Sequence, residues 1–263
     1  MDPDLLAAFS RQRFLGVPVE AHARLGSTND EAFRRAREGA PEGLVVVALD
    51  QTAGRGRLGR SWFGSKGQSL LFSVLLYPEL PLPSYPLLSL ALAASIADAG
   101  SEAIAPPGAR LTIKWPNDVL HDGRKLCGVL AESRSLAAGA RPALVIGAGI
   151  NVNQAPSDFP PEIRDRATSL RGAAGGPALD LVSVLRASLE GFGREVEAAR
   201  AGGARALHER LRGRLPARGS PVRVVLADRA VEGAVEEVTE TGALRVRDAR
   251  TGAVETLAAG VLE

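Results

Sequence analysis

Residues 43–78 read GLVVVALDQTAGRGRLGRSWFGSKGQSLLFSVLLYP and contain two apolar runs of strand length, GLVVVALD (43–50) and QSLLFSVLLYP (68–78). Each run is continuously apolar instead of alternating, which is typical of a strand buried on both faces of a sheet. The segment between them is therefore predicted to be a loop held at both ends by a rigid central sheet.

This loop is rich in glycine and arginine. Glycine lets a backbone adopt positive φ and approach a ligand closely, and a guanidinium offers planar, always-charged donors to phosphate or carboxylate. The pattern indicates an anion clamp, although taken alone it also fits a solvated basic linker or an RNA-binding Gly/Arg tract. The residues concerned are Gly54, Arg55, Gly56, Arg57, Gly59 and Arg60.

Helical and strand patterns surround the loop in mixed order, which favours an α+β fold. Thr28 and Glu31 form a capping-box signature for a helix over 27–39, and Asp122-Gly123 is a two-residue hairpin signal. Further helices are expected over 86–99, 180–199 and 203–212, and a core strand over 143–153 that runs into a turn at Gly147 and Gly149.

The sequence changes character after Pro216, where short alternating runs are separated by turn residues. Such runs predict a small antiparallel β-barrel. We therefore expect a main domain over 1–215 and a C-terminal barrel domain over 216–263.

Composition limits the environment and the partners. The 32 basic and 30 acidic residues leave a formal charge of +2, so no general attraction to nucleic acid or membrane is expected. The single cysteine, Cys127, precludes an internal disulfide, and we find no signal-peptide core. The histidines lie far apart without metal-ligand spacing, so no protein-bound metal site is expected. A cytoplasmic protein is the expectation.

Three familiar catalytic or nucleotide motifs are missing from the sequence. No lysine completes a P-loop, and no G-x-S-x-G nucleophile elbow occurs. GAGINV (147–152) begins like a dinucleotide fingerprint, but Val152 replaces the third small residue. The anion site must therefore be of another kind.

Taken in order, five motifs closely resemble the motif series of the biotin protein ligases: STN at 27–29, DQTAGRGRLGRSW at 50–62, KWPNDV at 114–119, RKLCG at 124–128 and GAGINVN at 147–153. The resemblance implies a class II synthetase-like catalytic domain with a central mixed sheet, followed by an SH3-like barrel. It also implies a two-step reaction. Biotin and ATP give biotinyl-5′-AMP, and a lysine of a biotin carboxyl carrier, such as that of acetyl-CoA carboxylase, then takes the biotinyl group. Mg²⁺ would accompany the ATP phosphates.

The resemblance also implies roles for individual residues. Arg57 and Lys125 would stabilise charge at the α-phosphate, and Asp118 would orient the acceptor amine. Arg60 and Trp62 would fold over the adenylate, with Asn117 and Asn151 near the nucleotide. The residues that would contact biotin are Ser27, Thr28, Asn29, Gln51, Arg55, Gly56, Arg57 and Lys125.

Two alternatives remain at this stage: a lipoate or octanoyl transferase of related fold, and a nucleic-acid-binding module that uses the Gly/Arg loop. A transferase of that kind is not expected to carry the G-R-G-R-x-G-R loop, and a nucleic-acid module should interleave aromatic with basic residues, whereas aromatics are only 4% here. Only 26 residues precede Ser27, so we expect no DNA-binding domain. A monomer and a homodimer are both compatible with the sequence.

Overall fold

The computed structural model describes residues 2–104, 111–136 and 139–262. The helices within these ranges are α1 (Pro3–Ser10), α2 (Thr28–Arg37), α3 (Tyr85–Ala103), α4 (Pro161–Arg164), α5 (Leu170–Ala174) and α6 (Leu181–Leu211). The strands are β1 (Arg13–Phe14), β2 (Val17–His22), β3 (Val45–Ala48), β4 (Ser69–Leu76), β5 (Thr112–Lys114), β6 (Asp118–His121), β7 (Arg124–Arg134), β8 (Ala143–Asn151), β9 (Pro221–Val225), β10 (Ala230–Val238), β11 (Leu244–Asp248), β12 (Val254–Leu257) and β13 (Val261–Leu262).

A central eight-stranded sheet has the order β1-β2-β3-β4-β8-β7-β6-β5. The pair β2–β3 is parallel, and the other neighbours are antiparallel, so the sheet is mixed. Every residue of β3, β4 and β8 is buried, because helices cover both faces. The predicted α+β class and its central mixed sheet are confirmed.

The helices divide between the two faces of this sheet. On one face α2 packs through Phe33 and Ala36 against a cluster that includes Val46 and Val145. On the other face α3 and α6 belong to the larger core. By length and composition the segment Leu82–Ala103 resembles a membrane span, but 78% of its most apolar window is buried, as in a core helix.

Strand β8 corrects the turn predicted at Gly147 and Gly149. The strand continues through both glycines to Asn151. Both positions are glycine because a side chain at either one would meet a neighbour. A Cβ on Gly147 would lie 2.2 Å from Asn29 Oδ1, and one on Gly149 would lie 2.3 Å from Trp62 Cε2. The glycines are thus required by close packing on one face of the sheet and not by a chain reversal.

The predicted capping box at Thr28 is also wrong. Ser27 is the N-cap of α2 and makes no side-chain capping bond. Gln51 takes that role from outside the helix, since its Oε1 accepts from Thr28 N at 2.7 Å. The hairpin is confirmed, with Asp122 at φ 48° and Gly123 at φ 74°, as a two-residue turn requires.

The C-terminal strands form a five-stranded antiparallel sheet of order β12-β11-β10-β9-β13. It docks on the larger sheet through Trp115, which is 1% exposed and donates from Nε1 to Gly242 O at 2.8 Å. One continuous hydrophobic core includes Trp115 together with Val224 and Leu244. The two sheets are therefore packed as one body in the described part of the chain.

The hydrogen bond between Trp115 and Gly242 allows the contribution of this docking to the free energy of unfolding to be tested. Replacing Trp115 with Phe removes the buried N–H donor, leaves Gly242 O unpaired and opens a small void. We expect Trp115→Phe to lower the free energy of unfolding by about 1–3 kcal/mol, as for other buried unpaired polar groups. Urea denaturation measures this change. Tyr85→Phe is the control, because its hydroxyl makes only a 3.4 Å bond to Pro78 O. Equal effects of the two substitutions would contradict the role of Trp115.

Candidate functional site

A single cleft collects nearly all the candidate residues. It lies on the sheet between the start of α2, the Gly/Arg loop, and the ends of β5 and β13. The residues expected from sequence that line it are Ser27, Thr28, Asn29, Gln51, Arg55, Gly56, Arg57, Arg60, Trp62, Asn117, Asp118 and Lys125.

The floor of the cleft is a glycine surface. Gly128 of β7 pairs directly with Gly149 of β8, and the Trp62 indole lies over both. Lys125 Nζ sits 5.5 Å from the centroid of the same indole, at cation–π distance. The Trp62 Nε1 atom is buried and has no hydrogen-bond partner in the described part of the chain. A ligand acceptor that reaches this N–H would remove an unpaired buried donor.

One end of the cleft is a network of neutral polar groups. Ser73 Oγ lies 2.7 Å from Thr28 Oγ1 and 2.6 Å from Asn29 Oδ1, so its single proton serves one of these acceptors. Thr28 in turn donates from Oγ1 to Gln51 Oε1 at 3.1 Å. These side chains are held in place by each other, which makes this end of the cleft rigid before any ligand arrives.

The Gly/Arg loop is folded into a small hairpin. Gly56 N donates to Arg60 O at 2.6 Å, and Trp62 N donates to Gly54 O at 2.9 Å. At its base Arg55 forms a bidentate pair with Asp30 at 2.6 and 2.8 Å, and the hydrogen bond from Arg55 lowers the pKa of Asp30 below its usual value. Arg55 is thus engaged by protein carboxylates and anchors the loop.

Arg57 faces neutral groups. Its Nη1 lies 3.2 Å from Asn117 Oδ1 and 3.3 Å from Gly260 O. Burial lowers the pKa of Arg57 below that of a free guanidinium, and the charge of Asp118 partly offsets the effect. A half-buried cation without a bound carboxylate favours the arrival of an anion.

Lys125 and Asp118 form an ion pair of 2.7 Å on neighbouring strands β7 and β6. Asn117 precedes Asp118, and its Nδ2 donates to Val129 O, which ties the KWPND turn to β7. Cys127 lies behind this pair, where burial raises the pKa of its thiol, so it is an inert core residue.

Asn151 is the expected site residue whose side chain does not line the cleft. It is 4% exposed, and its Nδ2 donates to Thr168 O at 3.0 Å. Thr168 N donates in turn to Lys125 O at 2.9 Å. Asn151 therefore holds the segment that fixes the backbone of Lys125, behind the surface that a nucleotide would contact.

Sequence reasoning missed three parts of the site. Lys114 lines the cleft, and although the KWPNDV motif contains it, the motif alone gave it no role. Residues 260–262 form a wall contributed by the C-terminal sheet, which no local pattern signals. Glu132 accepts from Asn29 Nδ2 at 2.7 Å, and its position on β7 after the RKLCG motif carried no recognisable signature.

Within residues 2–104, 111–136 and 139–262, one group of side chains has donor atoms close enough to share a metal ion: Glu20, His22 and Glu31. Arg35 Nε lies 2.9 Å from Glu20 and 3.2 Å from Glu31, so a cation already occupies the carboxylates. None of the three residues lines the cleft, and the group carries no functional assignment.

The glycine floor leads to a test of how Trp62 is held. Gly149→Ala places a methyl group where the indole lies, so we expect Trp62 to leave the floor and its fluorescence emission to shift to longer wavelength. The buried Trp115 should contribute an unchanged background. Gly213→Ala is the control, because a Cβ there meets nothing within 4 Å. An unshifted spectrum in a folded Gly149→Ala protein would contradict the packing of Trp62 on Gly149.

The family model and similar curated proteins point to the same family. Residues 22–151 match the model of the biotin/lipoate A/B protein ligase family. The bifunctional ligase/repressor BirA of Bacillus subtilis is 45% identical over 161 residues, which are 61% of this chain and 48% of that protein. A biotin–[acetyl-CoA-carboxylase] ligase of Mycobacterium tuberculosis is 41% identical over 154 residues, which are 58% of this chain and 54% of that protein. The chain thus matches about half the length of these curated relatives.

Solved structures extend the likeness beyond the matched sequence. A biotin protein ligase from Aquifex aeolicus in complex with biotin and ATP superposes with a TM-score of 0.73 at 28% identity, over 93% of this chain and 97% of that one. A biotin protein ligase from Leishmania major in complex with biotinyl-5-AMP gives a TM-score of 0.55 at 26% identity, over 92% of this chain and 98% of that one. With its motif order, its mixed sheet and these relatives, the chain carries over residues 22–151 a domain of the biotin/lipoate A/B protein ligase family, and its likeness within that family is to the biotin protein ligases.

Proposed function

We propose that the protein is an ATP-dependent biotin protein ligase, which makes biotinyl-5′-AMP and transfers the biotinyl group to a lysine of a biotin carboxyl carrier. The observation that carries this proposal is the charge of the cleft. Five cationic side chains line it against one carboxylate, that of Asp118. The cations are Arg55, Arg57, Arg60, Lys114 and Lys125. Even with Arg55 paired to Asp30, which does not line the cleft, this excess of positive charge favours two anionic substrates that would otherwise repel each other.

In the first step a carboxylate oxygen of biotin attacks the α-phosphorus of ATP, and pyrophosphate leaves. Negative charge accumulates on the phosphoryl oxygens during this in-line displacement. Lys125 and Arg57 both line the cleft, and both are already oriented, Lys125 by Asp118 and Arg57 by Asn117. Donors that need no reorganisation during the reaction are the most effective stabilisers of such charge.

In the second step the acceptor lysine amine attacks the acyl carbon of the mixed anhydride, the C–O bond to phosphate breaks, and AMP leaves with the electron pair. The amine must lose a proton as the amide forms, and the phosphate of the departing AMP can accept it. Asp118 is the carboxylate of the cleft that can orient this amine, and its pairing with Lys125 at 2.7 Å holds it in place. The Gly/Arg loop with Trp62 would exclude water from the anhydride meanwhile.

Mg²⁺ would accompany ATP and supply charge neutralisation at its phosphates. Mg²⁺ is commonly bound through one or two carboxylates together with substrate phosphates. Asp118 is already paired with Lys125 at 2.7 Å, and Asn117 Oδ1 faces Arg57 at 3.2 Å, so these residues do not fit a protein-held ion and the ATP phosphates would hold it. No further carboxylate lines the described cleft.

The remaining expectations belong to the same proposal. The sheet of residues 221–262 would be the SH3-like barrel of a C-terminal domain, following a catalytic domain that ends near residue 215. The protein would act in the cytoplasm, without DNA binding, as a monomer or a homodimer. The contact of Arg57 with Gly260 O supports a role for the C-terminal domain in closing the cleft.

A nucleic-acid-binding function is less well supported. Arginines of the C-terminal sheet are paired with carboxylates on the same sheet, and these pairs leave little free positive charge for a phosphate backbone. The pairs are Arg218–Glu236, Arg229–Glu255, Arg245–Glu237 and Arg247–Glu236, at 2.6–2.8 Å. A lipoate transferase would not need the polar network around Asn29 and Gln51, because a dithiolane ring has no N–H or C=O group.

Lys125 provides the direct test of the proposed reaction. We expect the wild-type protein to catalyse ATP–pyrophosphate exchange that biotin stimulates and lipoate does not. Lys125→Ala should slow single-turnover formation of biotinyl-AMP by about 10²- to 10³-fold, as when one charge-stabilising donor is removed.

The matched control is Lys66→Ala, because Lys66 follows the Gly/Arg loop but does not line the cleft. Its rate should stay close to that of the wild type. No biotin-stimulated exchange in the wild-type protein would overturn the proposed function. Normal exchange with an unchanged rate in Lys125→Ala would overturn only the role given to Lys125.

A further inference from the structure

Glu132 sits where two parts of the site meet. Its Oε2 lies 2.7 Å from Asn29 Nδ2 on the neutral end of the cleft and 3.5 Å from Arg55 at the base of the Gly/Arg loop. Its Oε1 lies 3.6 Å from Arg134. The carboxylate is 28% exposed and does not line the cleft itself. It therefore acts on a ligand only through the residues that it holds.

The bond from Asn29 to Glu132 decides which way the Asn29 amide faces. A carboxylate only accepts hydrogen bonds, so the group beside it must be the NH₂. The second N–H of that group points to Leu130 O at 3.4 Å. Both donors of Asn29 are thus directed to the protein. Oδ1 lies over Gly147 and 2.6 Å from Ser73 Oγ, and its second lone pair is the acceptor left for a ligand in the cleft.

Gln51 presents the opposite character. Its Oε1 accepts from both the backbone N–H and the hydroxyl of Thr28, at 2.7 and 3.1 Å. Its Nε2 has no acceptor within the described ranges, so its two N–H groups are open to a ligand. The polar end of the cleft consequently offers an acceptor at Asn29 and a donor at Gln51.

A ring that carries both N–H and C=O groups matches this pair, whereas a dithiolane ring matches neither. We infer that Glu132 is a positioning residue that fixes Asn29 as a hydrogen-bond acceptor and thereby selects ligands with a ring N–H, a cyclic urea above all. This inference rests on the proposed function, since it concerns the biotin end of that same site. Because Glu132 also contacts Arg55, the carboxylate joins ring recognition to the anchor of the loop.

The test replaces Glu132 with Gln, which keeps the shape but can present either an NH₂ or a C=O group to Asn29. We expect the KM for biotin in pyrophosphate exchange to rise about 10- to 100-fold, the range for loss of a hydrogen bond to a charged group. The KM for ATP should change less than about threefold, because the nucleotide end keeps its contacts.

A second ligand separates positioning from general damage. Biotin methylated on a ureido nitrogen lacks one N–H donor, so the wild-type protein should discriminate strongly against it. Glu132→Gln should discriminate less, because Asn29 is no longer held as an acceptor. A merely structural loss would raise both KM values by one common factor. That result in a folded variant would overturn the inference.

A paired substitution can restore the arrangement. Asn29→Asp alone sets two carboxylates against each other and should impair biotin binding more than Glu132→Gln does. In the double variant Asn29→Asp with Glu132→Gln, the new amide at 132 donates to the new carboxylate at 29, which again offers the ligand an acceptor. We expect the double variant to bind biotin better than Asn29→Asp, and no recovery would count against the inference.

Glu255→Gln is the matched control, because Glu255 has a nearly equal exposure of 27% and pairs with Arg229 on the C-terminal sheet. Its KM values should equal those of the wild type. If the wild-type protein shows no biotin-dependent exchange, the proposed function fails. If it does, and Glu132→Gln behaves as the control, this inference alone fails.

Discussion

The cleft depends on the absence of side chains at three positions of two neighbouring strands. Gly128, Gly147 and Gly149 leave the surface of β7 and β8 bare, and the space above them is taken by the Trp62 indole and the Asn29 amide. Since a Cβ atom at Gly147 or Gly149 would overlap those groups by more than an ångström, the strands must tolerate glycine in the centre of the sheet. Glycine in a strand interior lowers stability, and the burial of β4 and β8 on both faces compensates for that loss.

The cationic side chains around this floor differ in whether a carboxylate neutralises them. Arg55 is neutralised by Asp30, and Lys125 is paired with Asp118, whereas Arg57 contacts only neutral oxygens. The side chains of Arg55 and Lys125 are thus held in one orientation by their ion pairs. Arg57 is half-buried and its positive charge has no carboxylate partner among these contacts. The neutral end around Asn29 and Gln51 and the cationic end around Arg57 give the cleft a polarity that suits an uncharged ring attached to an acid.

The sequence predicts features that local chemistry determines. The buried strands, the Asp122-Gly123 hairpin and the motif series could all be read from consecutive residues, and the family they indicate is confirmed. Features set by distant partners could not be read in this way. Gly147 is predicted to be a turn residue because the Asn29 side chain that requires a glycine comes 118 positions earlier. Thr28 is predicted to cap its helix because no local pattern signals the bond from Gln51. Asn151 is expected near the nucleotide because its partner Thr168 lies in a segment without a recognisable pattern.

The contact between Arg57 and Gly260 O joins residues 203 positions apart. Closing so long a loop carries a larger entropic cost than forming the local hairpins, and contacts of this kind are made late in folding. The large sheet can therefore assemble while one wall of the cleft is still missing. The cleft is then completed in the last stage of folding, when the C-terminal sheet docks, and it loses that wall whenever the sheet undocks.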